Sequence, residues 1–533
     1  MRPQDRIRDA GRPFSAFLPT GAPYDPERMS EYAPSLPARP SPRSARVWQI
    51  LRPRLAFALL SLLVVWAYLP ARTRYFASDQ LLYLAELNGD RSWAAGFRLL
   101  DYAVERRYNK GDEVSYRPLL FTWMAARNAL SGRDVRTWNA AGLAAHLFAA
   151  WALFETLWRL RRSAFAHAFA LWFALLAANL ELVTWNHLDA YMLGFGGLLI
   201  AFMAAREAVR DGSRCAWTLY ALSMFAAMLI HEIAVPAALL AVPFAGLSLR
   251  GRPPREKIRA LVPLLAPLVL YAVLYAGHAA RCERLLWTGG TDAGPSPGSL
   301  LLRMVQAAGL WTSRILIPAA VDFTPRLLDR SLWRTPDDPA ALAGIALQIV
   351  LWAGIAWTLR KAASRSRLRA EWRFVAWIGV LLAAYAALLA MGRDYILSVP
   401  YYPYFFALFG IVGVYATLDL GRPTRNARIA ALALLLALGA LNGWKVRQTS
   451  QAIDRLHEPI TRYFDSIERQ IRARRDDPGF TFGIRNAPVD CDIPIHVSIG
   501  YPDRNLRKSI PLTQVVYGPR CTPFLPAAWV TPE

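Results

Sequence analysis

The chain has 533 residues, of which 55% are hydrophobic and only 19% charged, and it carries a formal net charge of +23. That composition is too apolar for an ordinary soluble multidomain protein. It also speaks against nucleic-acid binding: the cationic excess is Arg in short runs between apolar blocks, and no basic face can be assembled from such runs.

The apolar blocks are long enough, at about 17–25 residues, to cross a bilayer. Residues 1–53 are polar and rich in Pro and Arg, show no cleavable signal-peptide pattern, and read as a disordered cytoplasmic tail. The first span, 55–69, follows Arg43, Arg46, Arg52 and Arg54, a cationic flank that keeps the N-terminus in the cytoplasm. A long loop over 71–136 comes next, and loops of that length translocate largely regardless of charge. It is expected outside, with amphipathic helices in it.

Further spans are expected at 138–158, 164–185 and 190–205, then in a fifth block ending at His231 and a sixth running from Ile233 to Arg250. The seventh covers 260–280. The apolar stretch 300–321 is interrupted by Arg303, Arg314 and Pro318, and reads as an interfacial or re-entrant amphipathic helix pair. The eighth span, 340–359, runs into a dense Arg/Lys turn. The ninth ends at Met391, the tenth is 404–418, and the last ends near Trp444.

Alternate turns, near 161, 210, 255, 366 and 425, are strongly cationic, while the intervening ones hold Trp185, Asn186, His231, Glu232, Gly392 and Tyr401. A missed span would break this alternation. The expected fold is therefore an all-α polytopic membrane protein of roughly eleven transmembrane helices in a bacterial inner membrane, its C-terminus outside. A transmembrane domain over 54–444 is followed by a small α/β extracytoplasmic domain over 445–533. That domain has a charged helix over 448–474 and strand-like segments at 480–484, 493–499 and 510–517. Of the four cysteines, Cys491 and Cys521 fall there, and an outside location permits a disulfide between them. No repeat of about 34 residues is present.

Ionisable residues at membrane depth or at span ends are costly, so they are candidate functional groups. Four groups fall on the expected outer side. Asp79, in the sequence Tyr75 to Gln80, suits a general base or a metal ligand, or with Ser78 it is simply the N-cap of a helix over 80–87. Arg117 stands before a helix-starting proline, where its fork suits a phosphate or it snorkels to the interface. His187 and Asp189 share their side with His231 and Glu232. Asp189 and Glu232 either converge on one cavity or cap helices, and the two His suggest metal or acid/base work, although without a fixed ligand spacing a zinc site is weak. Arg393, beside Asp394 and Tyr395, suits a lipid phosphate or forms a surface pair.

The order of these groups resembles the C-type (GT-C) integral-membrane glycosyltransferase superfamily, closest to bacterial relatives of the transmembrane-and-TPR protein O-mannosyltransferases. Asp79 matches one member of an acidic pair after the first span, and Tyr116 to Leu119 matches a YRPL-type segment. Trp138-Asn139 through His146-Leu147 is similar to an Asn/His-containing second span. Asp189 takes the acidic place of the next outer turn, and His231-Glu232 that of a "KE" pair. The stretch 315–324, with Pro318 and Asp322, is similar to a "P…DY" segment, and 393–403 to a late arginine-plus-tyrosine turn. The chain departs in having Gln80 for the second acid, which weakens a metal claim, His231 for a Lys, and no repeat domain.

The resemblance implies an inverting transfer of a sugar from a polyprenyl-phosphate donor to an extracytoplasmic acceptor, whether glycan, lipid or protein. Asp79 would be the base. Arg393, with Arg117 and Tyr395, would hold the donor phosphate, and Asp189, His187, His231 and Glu232 would orient substrate or hold Arg residues. No cofactor is required by it; a divalent cation, Mg or Mn, would have Asp79 as its ligand. The expected partners are the bilayer, the lipid-linked sugar and an acceptor. A surface-polysaccharide polymerase or ligase is a rival reading, but its large loop belongs late in the chain, and here the large loop is 71–136. A transporter or flippase is another, although the two halves show no similarity. A scaffold without activity is the third.

Overall fold

The computed structural model describes residues 42–76, 87, 95–96, 116–132, 134–185, 188–249, 251, 253–281, 297–316, 343–350, 353–354, 357, 369–390, 401–420, 424–474, 477, 480–484, 494–498, 507–511 and 528–530. The chain divides into two compact units, 1–55 and 56–533. In order, the helices are α1 (Pro42–Tyr68), α2 (Pro118–Ser131), α3 (Val135–Leu160), α4 (Ala164–Ala174), α5 (Leu180–Thr184), α6 (Asp189–Asp211) and α7 (Arg214–Ile230). They continue with α8 (Ala234–Ser248), α9 (Pro254–Arg281), α10 (Pro297–Leu316), α11 (Arg369–Ala390), α12 (Tyr401–Leu420) and α13 (Arg425–Ile471).

Five helices among the described residues are long and apolar enough to cross a membrane: Leu51–Thr73, Val135–Leu160, Asp189–Asp211, Lys257–Ala280 and Arg425–Arg474. The bent pair Ala164–Ala174 and Ala177–Thr184 makes a sixth if it is one span. Arg214–Ile230, Ala234–Leu247, Val375–Ala387 and Pro403–Thr417 are shorter apolar helices. The protein is thus a largely helical, multi-pass membrane protein. Where the sequence suggests an amphipathic pair, α10 is one continuous helix to Leu316, with Trp311 and Ser313 buried in the core.

Local chemistry sets the helix ends. The side chains of Asp134, Ser163, Ser213 and Thr424 accept backbone N–H bonds at the starts of α3, α4, α7 and α13, and left-handed Gly212 closes α6. The 48° bend between α4 and α5 frees backbone groups that a bilayer interior cannot satisfy. Side chains take them up. Asn179 Nδ2 donates to Phe173 O at 2.8 Å, His146 Nε2 lies 2.9 Å from Ala174 O, and Asn442 Oδ1 accepts from Ala177 N at 3.0 Å. His146 Nδ1 is 3.0 Å from the Tyr404 hydroxyl, so both of its ring nitrogens are engaged in structure.

Helix directions follow from the contacts. Gly142 on α3 lies against Val183 and Asp189, Phe148 packs on Gly196, and Arg159 pairs with Glu207 at 2.9 Å, so α3 and α6 run the same way. A Cβ on Gly142 would stand 2.5 Å from Val183 O, and this close approach requires glycine. α7 returns antiparallel, placing Ile230 against Gly194. The bundle therefore has one end with exposed Arg159, Arg210 and Arg214, and an opposite end where α3 and α6 begin and α7 stops.

α13 rises to that opposite end. Asp454 accepts from Thr73 Oγ1 at 2.8 Å, and Asp465 from Arg136 at 2.8 Å at the start of α3. At 47 residues α13 is about 70 Å long, and it passes residue 445 without a break. The loss of apolar character at 445 is a change of surroundings along one helix. Beyond it, β1 (Phe482–Ile484) pairs parallel with β4 (Ala528–Val530), and β2 (Pro494–Ser498) antiparallel with β3 (Arg507–Pro511). β3 lies earlier than the expected 510–517. β4 is not among the expected strands.

Candidate functional site

Arg117 is the N-cap of α2, ahead of Pro118, whose missing N–H costs nothing in the first helical turn. Its guanidinium forks onto Glu232: Nε donates to Oε2 at 2.8 Å and Nη2 to Oε1, while Nη1 donates to the Tyr191 hydroxyl at 2.9 Å. The partners come from sequence positions far apart, α2, α6 and the turn after α7. Two parallel charge-assisted bonds fix both orientation and charge. The pair stays accessible, with 17% of the Arg117 side chain and 41% of the Glu232 side chain exposed.

The turn that carries Glu232 is held by His231. Its Nδ1 accepts the Ile233 N–H at 3.1 Å, so in the neutral ring Nε2 carries the proton. Nδ1 also lies 3.5 Å from Glu232, a contact without a proton between them. Burial pushes the His231 imidazole down to about 3, with Glu232 opposing and Arg117 adding to the shift. It is neutral at physiological pH. Burial alone would raise the Glu232 carboxyl, but the Arg117 charge, His231 and the hydrogen bonds outweigh it and hold Glu232 well below the usual carboxylate range.

A second Arg–carboxylate pair lies at the same end. Arg127, ten residues along α2 and so about 15 Å further down its axis, donates through Nη1 to Asp189 Oδ2. Trp123 Nε1 donates to the same oxygen at 2.9 Å, and Ala190 N to Oδ1 at 2.9 Å. Arg127 Nη2 reaches Trp138 O, and the guanidinium lies 4.2 Å over the Trp138 ring. Asp189 is fully enclosed, and Arg127 is 5% exposed. Asp189 thus holds Arg127 in place and is closed off from solvent.

The segment after α1 is fastened to α13 and α3. His457 Nδ1 accepts the Tyr75 N–H at 3.1 Å, and Thr461 Oγ1 donates to Thr73 O at 3.0 Å. The Tyr75 ring stacks on Phe464 with centroids 4.5 Å apart. Asn139 Nδ2 donates to Arg72 O and Arg74 O at 2.8 and 2.9 Å, and Arg74 reaches Thr184. The chain leading to Asp79 is therefore delivered to the end that carries Arg117 and Glu232.

Of the residues expected from the sequence, Arg117, His231 and Glu232 come together, and Asp189 is set apart from them. Asp79, His187, Arg393, Tyr395, Cys491 and Cys521 lie outside the described residues, as do Pro318 and Asp322. No group of three or more His, Cys, Asp or Glu side chains able to hold a metal ion occurs among the described residues. Sequence reasoning missed Tyr191, Arg127 and Trp123. Arg127 had a usable signal, being the one cation in the apolar run 118–131, a place that demands a partner.

Fold and site together define a largely helical, multi-pass membrane protein in which an open and a sealed Arg–carboxylate pair, both beginning on α2, lie at one end of the bundle. No protein-family model matches the chain, and no curated protein does. Among solved structures it is similar to that of ArnT from Cupriavidus metallidurans bound to Undecaprenyl phosphate, at 12% identity and a TM-score of 0.45, covering 82% of this chain and 83% of that chain. The apo state of the same protein gives 13% identity and a TM-score of 0.43, covering 84% of each chain.

Proposed function

We propose that this protein is an inverting glycosyltransferase that takes a sugar from a polyprenyl-phosphate donor and gives it to an acceptor outside the cytoplasm. The observation that carries the reading is the convergence of Arg117, Tyr191, His231 and Glu232 at the end of the bundle opposite exposed Arg159 and Arg210. Cationic helix ends stay in the cytoplasm, so the cluster faces outward. In this reading the chain has roughly eleven spans, a cytoplasmic N-terminus and an outside C-terminus in a bacterial inner membrane. A Cys491–Cys521 disulfide is then permitted.

In the proposed step, an acceptor hydroxyl oxygen attacks the anomeric carbon as its proton passes to Asp79. The bond from that carbon to the phosphate oxygen breaks, and polyprenyl phosphate leaves on the opposite face. Arg393 and Tyr395 neutralise the leaving phosphate, an electrostatic role suited to oriented groups in a water-poor cleft. Arg117 contributes only what its pairing with Glu232 leaves. His457 and Thr461 position the backbone that leads to Asp79.

The test is Asp79→Asn. Transfer should be abolished while the protein remains inserted and stable, and lipid-linked sugars should accumulate in the cell, as measured by mass spectrometry of a deletion strain complemented with the variant. Full activity in Asp79→Asn would remove the mechanism.

A further inference from the structure

α9 has two unlike sides. Ile258, Val262, Val269 and Val273 are exposed aliphatic residues, as suits a lipid-facing surface. Tyr271, Tyr275 and His278 recur at four- and three-residue spacing, so they share the inner face. There they meet Tyr116, the residue before Arg117: the Tyr116 ring is 5.2 Å from His278 and 6.0 Å from Tyr271, and Tyr271 stacks on Tyr275 at 6.2 Å. Tyr271 is 94% buried, its side within electrostatic reach of Glu232 and Arg117, and its hydroxyl has no hydrogen-bond partner among the described residues. A buried hydroxyl left without a partner is costly and calls for an explanation, and beside an open Arg–carboxylate pair a ligand's hydroxyl supplies one.

We infer that the Arg117–Glu232 pair, the Tyr271 hydroxyl and the rings of Tyr116 and Tyr275 form a subsite for an uncharged pyranose ring. The inference rests on the glycosyltransferase reading and names what this part of the site holds. A phosphate is a poor occupant, because Glu232 already cancels the Arg117 charge and would repel a second anion. A polyol suits it. Sugar hydroxyls donate to the exposed lone pairs of Glu232 and exchange a hydrogen bond with Tyr271. The C–H face of the ring lies on half-buried Tyr116 and Tyr275, whose π faces are electron-rich. Arg117 had been expected at the donor phosphate; the pairing makes it a sugar-orienting residue.

Saturation-transfer NMR on the full-length protein in nanodiscs tests this, with the methyl α-pyranosides of mannose, glucose and galactose as probes and inorganic phosphate as competitor. At least one glycoside should receive saturation, inorganic phosphate should not displace it, and Tyr271→Phe should weaken it by about fivefold, the worth of one neutral hydrogen bond. Tyr271→Phe removes a single unpartnered oxygen and keeps the packing. Tyr275→Leu, on a half-buried ring, is a second variant, also expected to weaken binding. No binding by any glycoside, displacement by phosphate, or unchanged affinity in both variants overturns the subsite. The experiment does not read transfer. A chain that binds the glycoside yet moves no sugar from a polyprenyl-phosphate donor defeats the transferase reading alone, whereas a transferase with wild-type affinity in both variants defeats the subsite alone.

Discussion

Arg117–Glu232 and Arg127–Asp189 are the same chemistry in two settings. Both are Arg–carboxylate pairs that begin on α2, and both sit at the end of the bundle opposite exposed Arg159 and Arg210. The second is sealed, and two indole groups, two backbone groups and the partner charge surround it. The first is open, with Glu232 41% exposed and a neutral histidine and tyrosines beside it. Enclosure turns a pair into a structural pin, because protein groups hold it on both sides and shut it off from solvent. Partial exposure leaves lone pairs for a ligand while the pair keeps its geometry.

The largest expected effect breaks the sealed pair. Asp189→Asn leaves Arg127 as an uncompensated buried cation and should cost about 3–5 kcal/mol, read as a large drop in thermal stability in nanodiscs. Replacing both residues by Leu should recover part of that loss; a double variant no better than the single one would show that the pair is not the pin described here. Glu232→Gln should be the mirror case. At a pair this exposed it should cost about 1 kcal/mol or less, yet reduce transfer by roughly a hundredfold through a misplaced substrate. Equal stability losses at the two sites would erase the distinction between them.

The smallest effect concerns pH. His231 is neutral when folded and is pushed from its ordinary 6.5 to about 3, so the folded state binds fewer protons than the unfolded one between those values. Its contribution to stability is complete above about pH 6.5 and is lost progressively as the pH falls towards 3. Glu232, held below its ordinary 4.5, adds a loss that begins only as the pH drops below that value. His231→Asn keeps an acceptor for the Ile233 N–H and removes the titration. It should therefore flatten thermal stability between pH 6.5 and 4.5, measured as melting temperature against pH; an unchanged slope would assign the dependence to another group.

Much of the fold was legible because a bilayer imposes a length on apolar helices and a charge on their turns. Val135–Leu160 and Asp189–Asp211 sit where the apolar blocks put them, and the Arg159 and Arg210 turns fall at one end. The stretch 300–321 reads as a helix pair because Arg303 and Arg314 interrupt its apolar run; as far as Leu316 it is one helix, and 317–321 lie outside the described residues. Within α10 those residues are intermediate in burial, and the face carrying Ala307, Trp311 and Ile315 packs into the core. The break between α4 and α5 had no sequence signal at all. It exists because His146, Asn179 and Asn442, from three places in the chain, bond the backbone that it frees.

The sequence by itself determined that this is a membrane protein, which residues lie at span ends, and that Arg117 and Glu232 share a side. Those properties are local: hydrophobic length, charge runs and chain order. Only the tertiary structure decided that Arg117 belongs to Glu232 and Tyr191, that Asp189 is sealed against Arg127, and that the Tyr271 hydroxyl is buried beside the open pair with no hydrogen bond among the described residues. Which charge meets which depends on helix packing over separations of 62 to 115 residues, and no local pattern encodes it.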